Sequence, residues 1–366
     1  MDKSILIFGL ANPDYLPLVR ALAQEGFTLI MNASPLVREA EMAGLEFHLF
    51  EGFFSPEIRA CAQREVTRIS NNLLKNLEAG SAIQAFASPL GNFIPYTGQE
   101  FFQQLGPLLA TEITAMEALD LIAGLWDLRL ILLDCDNDCS QRTLVNYARR
   151  LGIPSLHLAH GIYSKPQVHV AGEVDRLNAD HIALFGNRAR DNFVGSGNPA
   201  EKIFLTGAPL WDPLYKPEVL LDVRAARRQL GLDPNRPVVL FCSSYAEGSS
   251  AYFRFRAQRM QAIHEAVVQA LAQIGPQVQF IVRPHPNELR RATISPEDSS
   301  WILEAYRRWL ARYGVSSVYL SVGNKIEAIR AADVVIVADQ SSMVPEAMIL
   351  QKPVIMPTLL KNFQTT

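Results

Sequence analysis

The chain has 366 residues and a formal net charge of -3; 49% of its residues are hydrophobic and 19% charged. That is enough apolar material for two ordinary domains, and it excludes a disordered chain. The near-neutral charge argues against a broad nucleic-acid footprint, and no run of 18 apolar residues marks a membrane span.

In chain order, Ile5–Gly9 (ILIFG) reads as a short buried strand, followed by the turn Asn12-Pro13-Asp14. Helical spacing over 15–24 stops at Gly26, and a second strand follows over 27–31, giving a βαβ opening without GxGxxG. A strand is predicted over 45–50, a long helix over 58–77, a Pro/Gly/Asn-rich loop over 85–96 and a helix over 101–126. The apolar run Arg129–Asp134 is the next strand, and it ends in acids: Asp134, Asp136 and Asp138. A helix over 143–150 leads to a strand over 153–158 that ends in Ala159-His160-Gly161. His157 and His160 invite different readings, His157 as a buried hydrogen-bonded residue and His160 as a strand-end base. Strands over 179–185 and 202–206 complete the first half. Prolines between 209 and 237 place the boundary, so the domains read as 1–215 and 216–366.

The second half restarts with the strand Pro237–Cys242, which ends in Ser243 and Ser244. A helix over 260–274 and a strand over 277–282 run into Arg283-Pro284-His285-Pro286. After a helix over 301–313, a short strand over 318–320 and a helix over 325–331, the buried strand Val334–Ala338 meets Asp339, Ser341 and Ser342. A new helix then carries Pro345 and Glu346 in its first turn, and a short strand follows over 354–356. Two serines before a helix are ordinarily only a cap. Here they stand beside a second polar strand end, and strand ends with helix N-termini suit phosphate. The fold class predicted is α/β, two Rossmann-like parallel-sheet domains facing a cleft.

The four cysteines (Cys61, Cys135, Cys139, Cys242) lack zinc-site spacing and read as reduced thiols of a cytoplasmic protein. No metal or cofactor is expected. The arginine pairs at 290–291 and 307–308 are solvated faces or a contact with an anionic membrane surface.

The segments "RTLVNYARRLGIPSLHLAHG" and "KIFLTGAPLWDPLY", with RPHP and the later D-x-S-S, resemble bacterial surface-polysaccharide transferases of the GT-B fold. These are the CDP-glycerol glycerophosphotransferases and the sialyl-, polysialyl- and Kdo transferases. The resemblance spans roughly residues 130–356, and the first 125 residues carry none of its motifs. It implies a metal-independent transferase that moves a glycosyl or glycerophosphoryl group. The donor would be nucleotide-activated, CMP- or CDP-linked, and the acceptor a glycan or lipid-linked surface polysaccharide. Arg283, His285, Ser341 and Ser342 would bind the donor phosphate, and Ser243, Ser244 and Glu346 stand on the same strand and helix ends. His160 matches the histidine base of one group. The other groups use an acid, for which Asp134, Asp136, Asp138 and Glu51 (before Gly52) are candidates. Two other readings stay open: a sugar-nucleotide epimerase or hydrolase on the same fold, and a catalytically silent assembly protein.

Overall fold

The computed structural model describes residues 2–78, 87–88, 91–92, 94–136, 138–159, 177–215, 222–243, 251–285, 300–315, 318–321, 325–338 and 341–357. Its contacts divide the described chain into two compact units, one up to Pro209 and one from Leu210 onward. Trp211 and Leu214, on the 3-10 turn Pro209–Tyr215, pack into the second unit's core.

The first unit is a seven-stranded sheet in the order β3-β2-β1-β6-β7-β8-β9, every pair parallel. The strands are β1 (Lys3–Phe8), β2 (Thr28–Met31), β3 (His48–Leu49), β6 (Asp127–Leu133), β7 (Ser155–Leu158), β8 (His181–Leu184) and β9 (Ile203–Leu205). A separate antiparallel pair, β4 (Ala87–Ser88) and β5 (Gly91–Asn92), occupies the stretch read as loop from its Gly and Pro content. The central strands are apolar on both faces, as a sheet covered on both sides requires: Ile5, Leu6, Ile7, Ile131, Leu132 and Leu133 are all buried. One face packs against the helices Ile94–Leu125 and Cys139–Arg150 through Ala118, Leu119, Ile122, Leu144 and Val145.

The second unit is a five-stranded parallel sheet in the order β12-β11-β10-β13-β14. Its strands are β10 (Val238–Cys242), β11 (Gln279–Arg283), β12 (Val318–Leu320), β13 (Val334–Val337) and β14 (Val354–Ile355). Ala328, Ile329, Ala347 and Leu350 cover one face, and Ile263, Val268, Leu271 and Leu310 the other. Each unit is therefore a doubly wound Rossmann-like layer with its own core, which gives the GT-B-like α/β class expected from the sequence.

Both strand orders reverse direction once. In the first sheet the reversal lies between β1 and β6, in the second between β10 and β13. At each reversal the connections leaving the two adjacent strands run to opposite faces of the sheet, which opens a crevice at the strands' carboxyl ends. Asp134 and Asp136 follow β6, Ser243 follows β10, Arg283 ends β11 next to it, and Ser341 and Ser342 stand after β13.

Candidate functional site

In the second unit, the ladder between β10 and β11 runs one residue past β10, where the Ser243 amide donates to the Arg283 carbonyl at 3.0 Å. The buried Ser243 hydroxyl then accepts the His285 amide at 2.9 Å. Ser243 thus fixes the main chain of the RPHP turn. The Arg283 guanidinium donates Nη1 to the Ser321 hydroxyl at 3.0 Å and more loosely to its carbonyl at 3.4 Å. Ser321 is itself held by its amide to the Val282 carbonyl. Burial pulls the Arg283 pKa below its ordinary value, and the nearby Cys242 and Glu346 act in the opposite direction. A cation kept in a desolvated place is one whose attraction for an anion is weakly screened.

Glu346 lies in the first turn of the helix Met343–Ile349 and is completely enclosed. Its Oε1 accepts Lys325 Nζ at 3.0 Å. The sequence placed Glu346 among the donor-binding residues. The structure makes it a counter-charge that fixes Lys325, because a carboxylate with no exposed surface presents nothing to a ligand. Lys325 was not singled out in the sequence; it comes from a helix remote in the chain, and only folding brings it to Glu346. The Ser341 hydroxyl accepts the Met343 amide at 3.3 Å, while Ser342 makes no side-chain cap. The carboxyl edge of this sheet therefore gathers two cations, Arg283 and Lys325, one enclosed acid and a serine turn, an arrangement suited to a phosphate group.

In the first unit, Asp134 follows β6 and Gly9 follows β1. Gly9 has a φ of +85°, and a β-carbon there would stand 1.9 Å from Gln141 Nε2 and 3.3 Å from Asp134 Oδ1. Only glycine allows this approach. The Gly9 amide donates to Asn32 Oδ1 at 2.8 Å, and the Ala33 amide to both carboxylate oxygens of Glu51, at 3.1 and 2.9 Å. Glu51, the nearest match to an acid–glycine base, is thereby bound to main chain.

Asp136 is enclosed. One of its carboxylate oxygens accepts the amides of Asn178 at 2.6 Å and Ala179 at 3.0 Å, and the other faces His157 Nδ1 at 3.4 Å. Burial raises its pKa, but His157 and the two amides outweigh that and hold it below the ordinary value. A base needs a lone pair within reach of a substrate, so this geometry removes Asp136 from the catalytic set and gives it a structural role. Asp138 caps the helix Cys139–Arg150 through the Ser140 amide at 3.1 Å. His157 is buried and hydrogen-bonded, with Nε2 2.9 Å from the Asp134 carbonyl. Asp134 remains partly exposed at the mouth of the crevice. His160 and Ser244 lie outside the described residues.

Among the described residues no group of three or more His, Cys, Asp or Glu side chains converges as a metal site. No described helix is long and apolar enough to cross a membrane. All four cysteines are free thiols. Arg307 and Arg308 pair with Glu304 at 3.8 and 4.0 Å, which tempers their reading as a basic patch.

No family model and no curated protein matches the chain. Solved structures do. Anabaena HepE, in complex with UDP and glucose, superposes with a TM-score of 0.52 at 16% identity, over 97% of this chain and 80% of its own. UDP-N-acetylglucosamine 2-epimerase from Rickettsia bellii gives 0.52 at 14% identity, over 97% and 78%. The corresponding epimerase from Methanocaldococcus jannaschii gives 0.50 at 13% identity, over 97% and 83%. At these identities the likeness is one of fold.

Proposed function

We propose that the protein is a GT-B-type transferase of surface-polysaccharide synthesis. It takes a glycosyl or glycerophosphoryl group from a nucleotide-activated donor and passes it to a glycan or lipid-linked acceptor at the cytoplasmic face of the membrane. The observation that carries this reading is the pair Arg283 and Lys325 at the carboxyl edge of the second sheet, backed by the enclosed Glu346. When the donor bond breaks, the electron pair leaves with the nucleotide phosphate. Fixed cations beside that oxygen stabilise it more in the transition state than in the ground state. His285, Ser341 and Ser342 flank the phosphate, with the His285 main chain held by Ser243. The acceptor hydroxyl loses its proton to a base, for which Asp134 and His160 are the candidates.

The RPHP and serine motifs favour a cytidine donor, whereas HepE was captured with UDP. Thermal shifts with CMP, CDP, UDP and GDP on the wild type, Arg283→Met and His285→Ala decide between them. Stabilisation by one base, weakened at least tenfold in Arg283→Met, is expected. A wild type indifferent to every nucleotide overturns the reading. A second reading, a sugar-nucleotide epimerase or hydrolase, draws on the likeness to the two epimerases. It predicts turnover of a UDP-sugar with no acceptor present, where the transferase releases nucleotide only when acceptor is added.

A further inference from the structure

In the second sheet β11 lies between β10 and β12, and each neighbour sends a serine, one residue past its own end, to the residues that close β11. On one side the Ser243 amide donates to the Arg283 carbonyl, and the Ser243 hydroxyl accepts the His285 amide. On the other side the Ser321 amide donates to the Val282 carbonyl at 2.9 Å, and the Ser321 hydroxyl accepts Arg283 Nη1 at 3.0 Å. Ser243 therefore sets the main chain of the turn, and Ser321 the guanidinium that the turn carries.

A fixed main chain leaves an arginine side chain its freedom. Arginine loses more rotamer freedom on ordering than most side chains, and a ligand that must order it binds less tightly for doing so. Ser321 orders it beforehand. Two oxygens of this one residue face Nη1, the hydroxyl at 3.0 Å and the carbonyl at 3.4 Å. Ser321 cannot drift from its place, because its amide is bonded to the strand that bears Arg283. The guanidinium is planar, so anchoring it at its stem and at one terminal nitrogen fixes the direction of its other N–H bonds. Ser321 is 3% exposed, so it presents nothing to a ligand itself. The geometry points to Ser321 as a positioning residue that holds the Arg283 guanidinium in the orientation in which it meets an anion at the carboxyl edge of this sheet. That the anion is the phosphate of an activated donor rests on the transferase reading; the hold on the guanidinium does not.

The test is calorimetric titration of the full chain with inorganic pyrophosphate, and then with CMP, CDP, UDP and GDP. The proteins are the wild type, Ser321→Ala, Ser321→Thr, Arg283→Met and the Ser321→Ala/Arg283→Met double variant. Ser321→Ala should weaken pyrophosphate binding roughly three- to tenfold, the effect of ordering one such side chain. Ser321→Thr keeps the hydroxyl and should restore most of the affinity. In the Arg283→Met background Ser321→Ala should cost nothing further. Nitrogen NMR adds a readout that a merely structural serine would not move. The Arg283 guanidinium, identified by its loss in Arg283→Met, should give separate Nη signals in the wild type and averaged ones in Ser321→Ala. Should Ser321→Ala fail to fold, Ser321→Cys fills the same space with a weaker acceptor and must show the same loss. Unchanged binding in Ser321→Ala overturns the inference, as does an equal loss in the Arg283→Met background or an averaged guanidinium in the wild type. Nucleotide binding that needs Arg283 but ignores Ser321 would remove this inference and leave the transferase reading. Pyrophosphate bound through both residues, with all four nucleotides ignored, would remove that reading and leave this inference. A wild type that binds none of the five probes removes both.

Discussion

Asp136 shows how an acid at a strand end becomes structural. It takes two main-chain amides from 178–179 and faces His157, so it ties the loop after β6 to the segment entering β8. Replacing it by Asn leaves at least one of these donors without its charged partner, at about 2–4 kcal/mol of stability. The pH dependence follows in sign. The folded pKa lies below the ordinary 3.8, so the contribution is present above that value and is lost as pH falls through the folded one. Acid unfolding of Asp136→Asn should therefore show a shallower limb below about pH 4. His264 runs the other way. It is caged by Phe241 at 5.2 Å and Trp309 at 6.2 Å, its Nε2 is unpartnered, and burial pushes its pKa down to about 4. The unfolded chain takes up a proton at 6.5 that the folded chain refuses, so stability falls between pH 6.5 and 4, by up to about 3 kcal/mol. His264→Phe should flatten that stretch of the stability–pH curve; an unchanged slope would show that His264 is not its source.

At the scale of elements, the amino-terminal edge of the second sheet hangs on Arg227. From the helix Val223–Gln229 it donates Nε to the Ala331 carbonyl at 2.9 Å, Nη1 to Pro234 at 3.1 Å and Nη2 to Asp333 at 2.6 Å. The same Asp333 oxygen accepts the Val238 amide at 2.7 Å. One guanidinium thus joins a helix to the starts of β10 and β13. Arg227→Lys keeps the charge but cannot reach three acceptors at fixed angles, and should cost about 3 kcal/mol in chemical denaturation, close to Arg227→Ala. This helix was not legible in the sequence: its seven residues VRAARRQ carry no apolar stripe, and only its tertiary partners make it a helix. The helix Pro35–Met42 was missed for a similar reason of length. The strands were legible because both faces are covered, which makes each an apolar run with a polar end. Those polar ends located Arg283, Ser243, Asp134 and Asp136. They could not separate Asp136, consumed by main chain, from Asp134, or bring in Lys325. Such assignments depend on contacts between residues far apart in sequence. The one local signal that could have found the Gly9 crevice is the glycine itself at the end of β1.

At the scale of the molecule, the two units have separate apolar cores, one around Leu119, Ile131 and Leu144, the other around Leu240, Ile281, Val335 and Phe241. Cores that share no buried residue melt as separate units unless something else couples them. Scanning calorimetry can then assign each transition by substitution, Asp136→Asn lowering the first unit's and Arg227→Lys the second's. On that assignment rests a test of where the nucleotide binds. A ligand that binds only the folded second unit stabilises it by about 2.7 kcal/mol at a hundred times its Kd, worth roughly 5–10 °C for a unit of this size. The expected trace in saturating nucleotide has the Arg227-sensitive transition raised by that amount and the Asp136-sensitive one where it was. A shift confined to the first unit would move the phosphate site to the Gly9 crevice, against the charges of Asp134 and Asp136. A single transition moving as a whole would show that the two cores are coupled when nucleotide binds, and the Arg283→Met protein would then locate the site by losing the shift.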